Sequence, residues 1–148
     1  MNHGALTITR RVPLHRDLVY DVWTKLEHRR RWFVGPAWTE IARSLDLRVG
    51  GTEVAHGRFE NGIETIYTAR FHLIEPHLRL IYAFDMQVAG TPFSVSLAGV
   101  DFAEAPGGTA LTYTEHGFFL QGEYDAAARE AGTTRLLDQF LAHLSSAT

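Results

Sequence analysis

The sequence predicts an α+β fold in which one antiparallel sheet carries its helices on one face. Three observations point there. Between residues 40 and 118 the chain is a run of alternating apolar and polar segments separated by turn residues, as in successive hairpins. A single amphipathic stretch, Glu123 to Leu144, closes the chain. A long helix after a run of strands must bury its apolar stripe on the sheet. The 148 residues suit one domain, 1–148, large enough to bury a core without staples.

Taken in order, ALTITRRV (5–12) alternates and reads as a strand ended by Pro13. Leu14 to Leu26 places Leu18, Val19, Val22, Trp23 and Leu26 at helical spacing, and Pro13 suits the turn before a helix. Residues 27–38 read as a short helical turn and then a loop. Their Arg29-Arg30-Arg31 reads as a solvated helix end, where cations suit the dipole. Ile41 to Val49 is the next strand, closed by Gly50-Gly51, and Glu53 to Phe59 follows, ended by an Asn61-Gly62 hairpin signal. Ile63 to Ile74 stops at Pro76 and pairs with Leu78 to Val88. Phe93 to Phe102 and Thr109 to Phe118 form a further hairpin across Ala105-Pro106-Gly107-Gly108. The element order is β-α-β-β-β-β-β-β-α, about seven strands in all.

Alternation assigns faces. Leu111, Tyr113 and Glu115 share one face of their strand and Thr112, Thr114 and His116 the other. Threonine suits the solvated side, so Glu115 points inward. Leu80, Tyr82, Phe84 and Met86 form an apolar face, as do Ile63, Tyr67, Phe71 and Leu73. In 93–102, Val95 and Leu97 disagree with Val100 and Phe102, and a bulge would reconcile them. In the second register Ser94 and Ser96 face inward. The closing helix presents Tyr124, Ala127, Ala128, Ala131, Leu137, Phe140, Leu141 and Leu144 to the sheet, small residues first and large ones after. Gly132 falls at the change. A mid-helix glycine costs roughly 1 kcal/mol against alanine, offset by close backbone approach or room for a ligand, or else accepted as a kink.

The net charge of −3 and the lack of a basic tail argue against nucleic acid. The absence of cysteine excludes disulfides, thiolate catalysis and cysteine-based metal centres. No apolar run reaches membrane-spanning length, and the start of the chain has no signal-type apolar core, so a cytoplasmic protein is expected. The eight histidines form no His-Glu-x-x-His or His-x-His pattern, and His72 and His77 flank Pro76 too irregularly for a ligand pair. There is no Gly-x-Ser-x-Gly, P-loop or Gly-x-Gly-x-x-Gly. No metal or cofactor is expected.

The pattern resembles the SRPBCC superfamily (START and Bet v 1-like). It is similar in particular to the bacterial branch related to the C-terminal domain of the heat-shock-protein-90 ATPase activator. The residues that carry this are Val12-Pro13 with Val19-Tyr20-Asp21-Val22-Trp23-Thr24, Arg31-Trp32-Phe33 with Pro36, and Asp46-Leu47-Arg48-Val49-Gly50-Gly51. With them go Ile74-Glu75-Pro76 with Arg79 to Tyr82, Gly108-Thr109 through Thr114 to Gly117, Gly122, Arg129-Glu130, Gly132-Thr133 and Leu136-Leu137. The resemblance implies a helix-grip fold, a curved sheet wrapped around the last helix. It implies a cavity for a small hydrophobic or aromatic ligand, and brings no shared catalytic motif. Relatives often hold an acidic residue just before the Ile-Asp-Pro-like turn, where this chain has His72-Leu73. The eukaryotic activator binds its chaperone largely through a separate N-terminal domain, for which 148 residues leave no room, so the resemblance adds little to a co-chaperone role.

Glu115 is the leading site candidate. A carboxylate on the inner face would orient a polar ligand group, act as general acid or base, or pair structurally with an Arg or Tyr. Glu53, just after Gly50-Gly51, is the second, with an exposed strand start as its alternative. Tyr113, Tyr67, Phe71, Tyr82, Phe84 and Trp32 serve equally as ordinary core or as the wall of an apolar cavity, with Gly132 marking where space is left. Three functions follow: ligand binding between sheet and last helix, a cyclase or dehydratase using Glu115, and a protein-interaction module. A homodimer is compatible with each.

Overall fold

Seven strands and three helices make up the computed structural model: β1 (His3–Val12), α1 (Arg16–Thr24), α2 (Leu26–Trp32), β2 (Trp38–Leu45), β3 (Thr52–Phe59), β4 (Glu64–Glu75), β5 (Arg79–Val88), β6 (Thr91–Ala105), β7 (Gly108–Phe119) and α3 (Ala126–Ser146). The structure describes residues 1–147; Thr148, the end of the expected 1–148 domain, lies outside them. The strands form one antiparallel sheet in the order β1-β7-β6-β5-β4-β3-β2. Five hairpins follow the chain from β2 to β7, and β1 returns to pair with β7 along its whole length, from His3 opposite Phe118 to Val12 opposite Thr109. Because β1 and β2 are the two edges, α1 and α2 must cross the open side of the sheet to connect them. There they meet α3, and the three helices share the concave face of a helix-grip fold.

The long helical stretch expected up to Leu26 is broken at Lys25, which is extended (φ −77°, ψ 133°) and both ends α1 and caps α2. The break reorients the chain so that Trp23 and Trp32 point into one cluster with Phe140 of α3. The three ring centroids lie 4.8, 4.9 and 5.0 Å apart. All three are almost fully buried. The indole N–H of Trp32 donates to Val22 O at 3.1 Å, so the buried polar atom is satisfied. Asp125 caps α3, its carboxylate accepting from the Ala128 N–H at 3.0 Å.

Five local expectations are corrected. The strand expected from Ile41 to Val49 is shifted to Trp38–Leu45, with a bulge between Glu40 and Ala42 that leaves Ile41 exposed. Residues 46–51 instead form a turn, with Gly50 at φ 82° and its N–H donating to Phe71 O. Ile63 lies in the Asn61-Gly62 turn, where the Asn61 side chain accepts from its N–H, and Thr65 takes the inner position. A bulge at His72 hands the inward place from Leu73 to Ile74. The conflict within 93–102 is resolved without a bulge inside that span: Ser94, Ser96, Ala98, Val100 and Phe102 all face in, and Val95 and Leu97 face solvent. The irregularity falls just before, where Met86 pairs with Ser94 and Gln87 with Pro92, leaving Phe93 between them. On α3, Leu137, Phe140 and Leu144 are buried as expected, but Ala127, Ala128 and Ala131 are exposed. The first turns of α3 stand away from the sheet.

α2 and α3 also meet through His28 and His143, whose Nδ1 and Nε2 lie 2.9 Å apart. Burial, the facing His28 and then Arg31 lower the His143 pKa below its ordinary 6.5. The folded state therefore binds a proton at His143 less readily than the unfolded chain. Its contribution to stability is complete above pH 6.5 and is lost as pH falls through the lowered folded value. Urea unfolding across a pH series should show wild-type stability declining below pH 6.5, and His143→Gln should flatten part of that decline. Parallel profiles for the two proteins would refute the assignment.

Candidate functional site

The standing-off of α3 leaves space. A pocket of about 560 Å³ lies between the first half of α3 and the inner face of the sheet. Period-2 alternation aims Tyr67 of β4, Tyr82 and Phe84 of β5, and Tyr113 and Glu115 of β7 into it. Trp32 and residues 33–35 close one side, Phe93 and Phe119 another, and Gly132 and Leu136 form the roof on α3. The Trp38 indole forms part of the wall. It lies flat over Gly57, where any Cβ would stand 1.9 Å from the ring, and its N–H donates to the Thr65 hydroxyl at 3.0 Å. A Cβ at Gly132 would meet nothing within 4 Å, so this glycine borders open space and serves no close backbone approach. A second depression follows the outer face of α3 past Glu130, Thr134 and Asp138, but a single helix makes it and it opens broadly to solvent.

Two ion pairs lie at the pocket, one on its wall and one beneath its floor. At its mouth Glu115, 5% exposed, accepts from the Tyr113 hydroxyl at 2.6 Å and from Arg129 Nε at 2.7 Å. Arg129 also donates to the Ser96 hydroxyl at 3.2 Å, and its guanidinium sits 5.4 Å from the Phe119 ring and 5.9 Å from that of Phe84. Glu115 thus has a donor on each carboxylate oxygen. Beneath the floor, Arg29 of α2 is buried and bonded to Glu53 of β3; it also donates to Trp23 O at 2.9 Å and stacks 4.3 Å from the Phe33 centroid. Burial, the largest single influence, would lower the Arg29 pKa, but the Glu53 carboxylate and its hydrogen bond, with the Tyr67 and Tyr82 phenols, together outweigh it and the net shift is upward. Burial pushes the phenols of Tyr67, Tyr82 and Tyr113 upward, and neighbouring carboxylates add to this, so all three remain protonated across the physiological range. Among the described residues, no three His, Cys, Asp or Glu side chains gather as a metal site, and no helix is long and apolar enough to cross a membrane.

Residues 13–145 match the protein family described as Activator of Hsp90 ATPase homolog 1-like protein. The chain belongs to that family. It is part of the SRPBCC superfamily, in agreement with the resemblance read from the sequence. Among solved structures, an uncharacterised protein from Rhizobium leguminosarum is 35% identical, with a TM-score of 0.91 over 98% of this chain and 96% of its own. A Rhizobium loti protein is also 35% identical, with a TM-score of 0.87 over 95% and 96%. An AHSA1-like protein from Aeromonas hydrophila is 25% identical, with a TM-score of 0.75 over 97% and 94%. Among curated proteins none matches the chain.

Of the residues singled out in the sequence, Glu115, Tyr113, Tyr67, Tyr82, Phe84, Trp32 and Gly132 border the one pocket. Glu53 and Phe71 do not: they border a crevice of about 10 Å³ under the floor, room for at most one water. Glu53 is not an exposed strand start either, since it is 2% exposed and paired. The arginine run divides. Arg30 and Arg31 are solvated as expected, while Arg29 is 4% exposed. Its spacing of three from Trp32 on a helix face was the available signal. Arg129 was the other missed residue. Its signal was the need of an inward Glu115 for a cation, with Arg129 one turn before Gly132.

Removing one partner of a buried pair strands the other charge. Glu53→Gln should destabilise the protein by about 3–5 kcal/mol in urea unfolding. The double change Arg29→Met, Glu53→Leu should recover most of that loss. A single variant within about 1 kcal/mol of wild type would refute the coupling.

Proposed function

We propose that the protein binds a small apolar or aromatic molecule between the sheet and the first half of α3. The observation that carries this is the 560 Å³ pocket with aromatic walls and a few fixed polar groups. That size and lining are typical of sites for small organic ligands. The uneven packing of α3 supports it, because a helix that needed only stability would bury both halves. The carboxylate–arginine pair at the mouth gives a ligand a polar edge to orient on. Such a molecule reaches the pocket from solution, which suits a carrier or sensor.

The same geometry favours binding over turnover. A general base needs a free lone pair within reach of the substrate proton. Each Glu115 oxygen already accepts one hydrogen bond, so in a cyclase or dehydratase the carboxylate would have to take the substrate proton on a remaining lone pair while Tyr113 and Arg129 hold it in place. A second reading, a protein-interaction module, draws on the outer sheet face. There Val95 and Phe118 are cross-strand partners beside Leu97, and the three are 47%, 40% and 53% exposed. Stimulation of a chaperone ATPase that is lost on Leu97→Lys would favour it.

The binding reading is tested at Gly132. Gly132→Ala should stabilise the protein by up to about 1 kcal/mol, since its methyl meets nothing. Gly132→Phe should keep the fold and fill the pocket. In a thermal-shift and native-mass-spectrometry screen of aromatic compounds and lipids, wild type and Gly132→Ala should take up ligand and Gly132→Phe should not. Uptake by Gly132→Phe equal to wild type would move the site elsewhere.

A further inference from the structure

Among the described residues, two of the three tyrosines in the pocket have no hydrogen-bond partner for their hydroxyls. Tyr67 and Tyr82 are 8% and 6% exposed, and both border the pocket. They flank Phe84, with ring centroids 5.2 and 6.2 Å from it. Tyr113, by contrast, donates to Glu115, and the Trp38 N–H to Thr65. Among the described residues no group forms a hydrogen bond with either the Tyr67 or the Tyr82 hydroxyl. Unlike the Ser94 hydroxyl, neither is sealed off in the protein interior. A hydroxyl on the wall of a mostly apolar pocket gives up part of its hydration for no protein partner, and phenylalanine would fill the same volume without that cost. Two such hydroxyls aimed into one pocket point to a ligand group that pairs with them.

The charges around them restrict that group. The guanidinium nearest the floor, Arg29, is neutralised by Glu53, and Arg129 by Glu115. The remaining charged wall residues, Arg135, Glu123 and Asp125, come from α3 and the segment leading into it. Arg135 is held by Val34 O and the Gln139 side chain. The inner wall therefore offers hydrogen-bond donors with no net charge. A phenol O–H is a good donor, and its oxygen a poor acceptor because the lone pair is drawn into the ring. Burial keeps both phenols protonated, so they stay donors.

We propose that the ligand is an uncharged aromatic ketone or quinone whose carbonyl oxygen accepts a hydrogen bond from Tyr67 and Tyr82 at the inner wall. This rests on the reading of the pocket as a ligand site and adds the chemical class. Apolar rings meet Trp32, Phe84 and Phe119, and the carbonyl meets the phenols.

The test uses three probes on one tricyclic frame: fluorene and 9-fluorenone, which are planar and close in shape, and fluorene-9-carboxylate, which adds a charged group on its tetrahedral C9. Calorimetry on the full chain should give binding of fluorenone about tenfold tighter than fluorene, the equivalent of a hydrogen bond to an otherwise unpaired donor. The carboxylate should bind more weakly than either. Tyr67→Phe with Tyr82→Phe should bring fluorenone affinity down to that of fluorene and leave fluorene unchanged. The carbonyl stretch of bound fluorenone should be red-shifted in wild type and return toward its apolar-solvent position in the double variant. The thermal midpoint of the ligand-free double variant should equal or exceed that of wild type, because no protein bond is lost. Equal affinity for fluorene and fluorenone, tightest binding of the carboxylate, or a lowered midpoint would each overturn the assignment while leaving an apolar pocket in place. Failure of all three probes to bind wild type would overturn the pocket reading together with it.

Discussion

The most deeply buried guanidinium of the helical layer joins α2 to the sheet. Arg29 reaches from α2 to Glu53 on β3, holds the carbonyl of Trp23 at the end of α1, and stacks against Trp32 and Phe33. Both charged groups are out of water, so their attraction is large and so is the cost of bringing them there. Replacing such a pair by apolar residues is often neutral in stability. What an apolar replacement would not supply is direction. α1 and α2 cross the open side of the sheet with only the broken turn at Lys25 between them, and hydrophobic contact alone leaves such a crossing free to slide. A fork bonded to one carboxylate and one carbonyl has a single good position. That position sets where Trp23 and Trp32 stand, and they set where Phe140 and the second half of α3 can pack.

The pocket follows from this one-sided anchoring. From Leu137 onward α3 is locked into the aromatic cluster. Before it, the helix is tied by the Asp125 cap and the Arg129–Glu115 contact, with exposed alanines between. An alanine-rich turn has good helix propensity and needs little packing to persist. The chain therefore keeps a regular helix over the pocket while withholding the side chains that would fill it. Gly132 extends the same economy, removing even the methyl at the roof.

The hairpin order, the long closing helix and the inward placement of Glu115 were legible because each depends on a local period or a turn residue. Strand faces were legible for the same reason at Leu80 to Met86 and at Leu111 to Glu115. The failures lie where one extra residue shifts the period. The bulges at Ile41, His72 and Phe93 are set by pairing with a neighbouring strand, and one sequence segment does not contain its partner's register. Arg29 is hidden in the sequence because a run of three arginines shows charge and not helix face. Its neighbours Arg30 and Arg31 point to solvent, and Arg29 alone falls on the stripe of Trp32. The exposure of Ala127 and Ala131 was illegible in principle, since alanine suits a close helix–sheet contact and an unpacked helix face equally well.

The two ion pairs look alike on paper and differ in what surrounds them. Arg29–Glu53 is enclosed, with a crevice too small for a ligand beside it, so its geometry has no reason to change. Arg129–Glu115 borders the open pocket and is carried by the least packed part of α3. Its arginine lies between Phe84 and Phe119, and its carboxylate is also held by Tyr113. If Arg129 were withdrawn, Glu115 would keep the Tyr113 bond, and the guanidinium would reach water within a short swing. The cost of opening this pair is therefore smaller than the cost of opening the other. A fold that uses one arginine–glutamate pair to fix its helices can use a second, less buried one at the pocket mouth, because the second need not hold for the first to keep the structure in place.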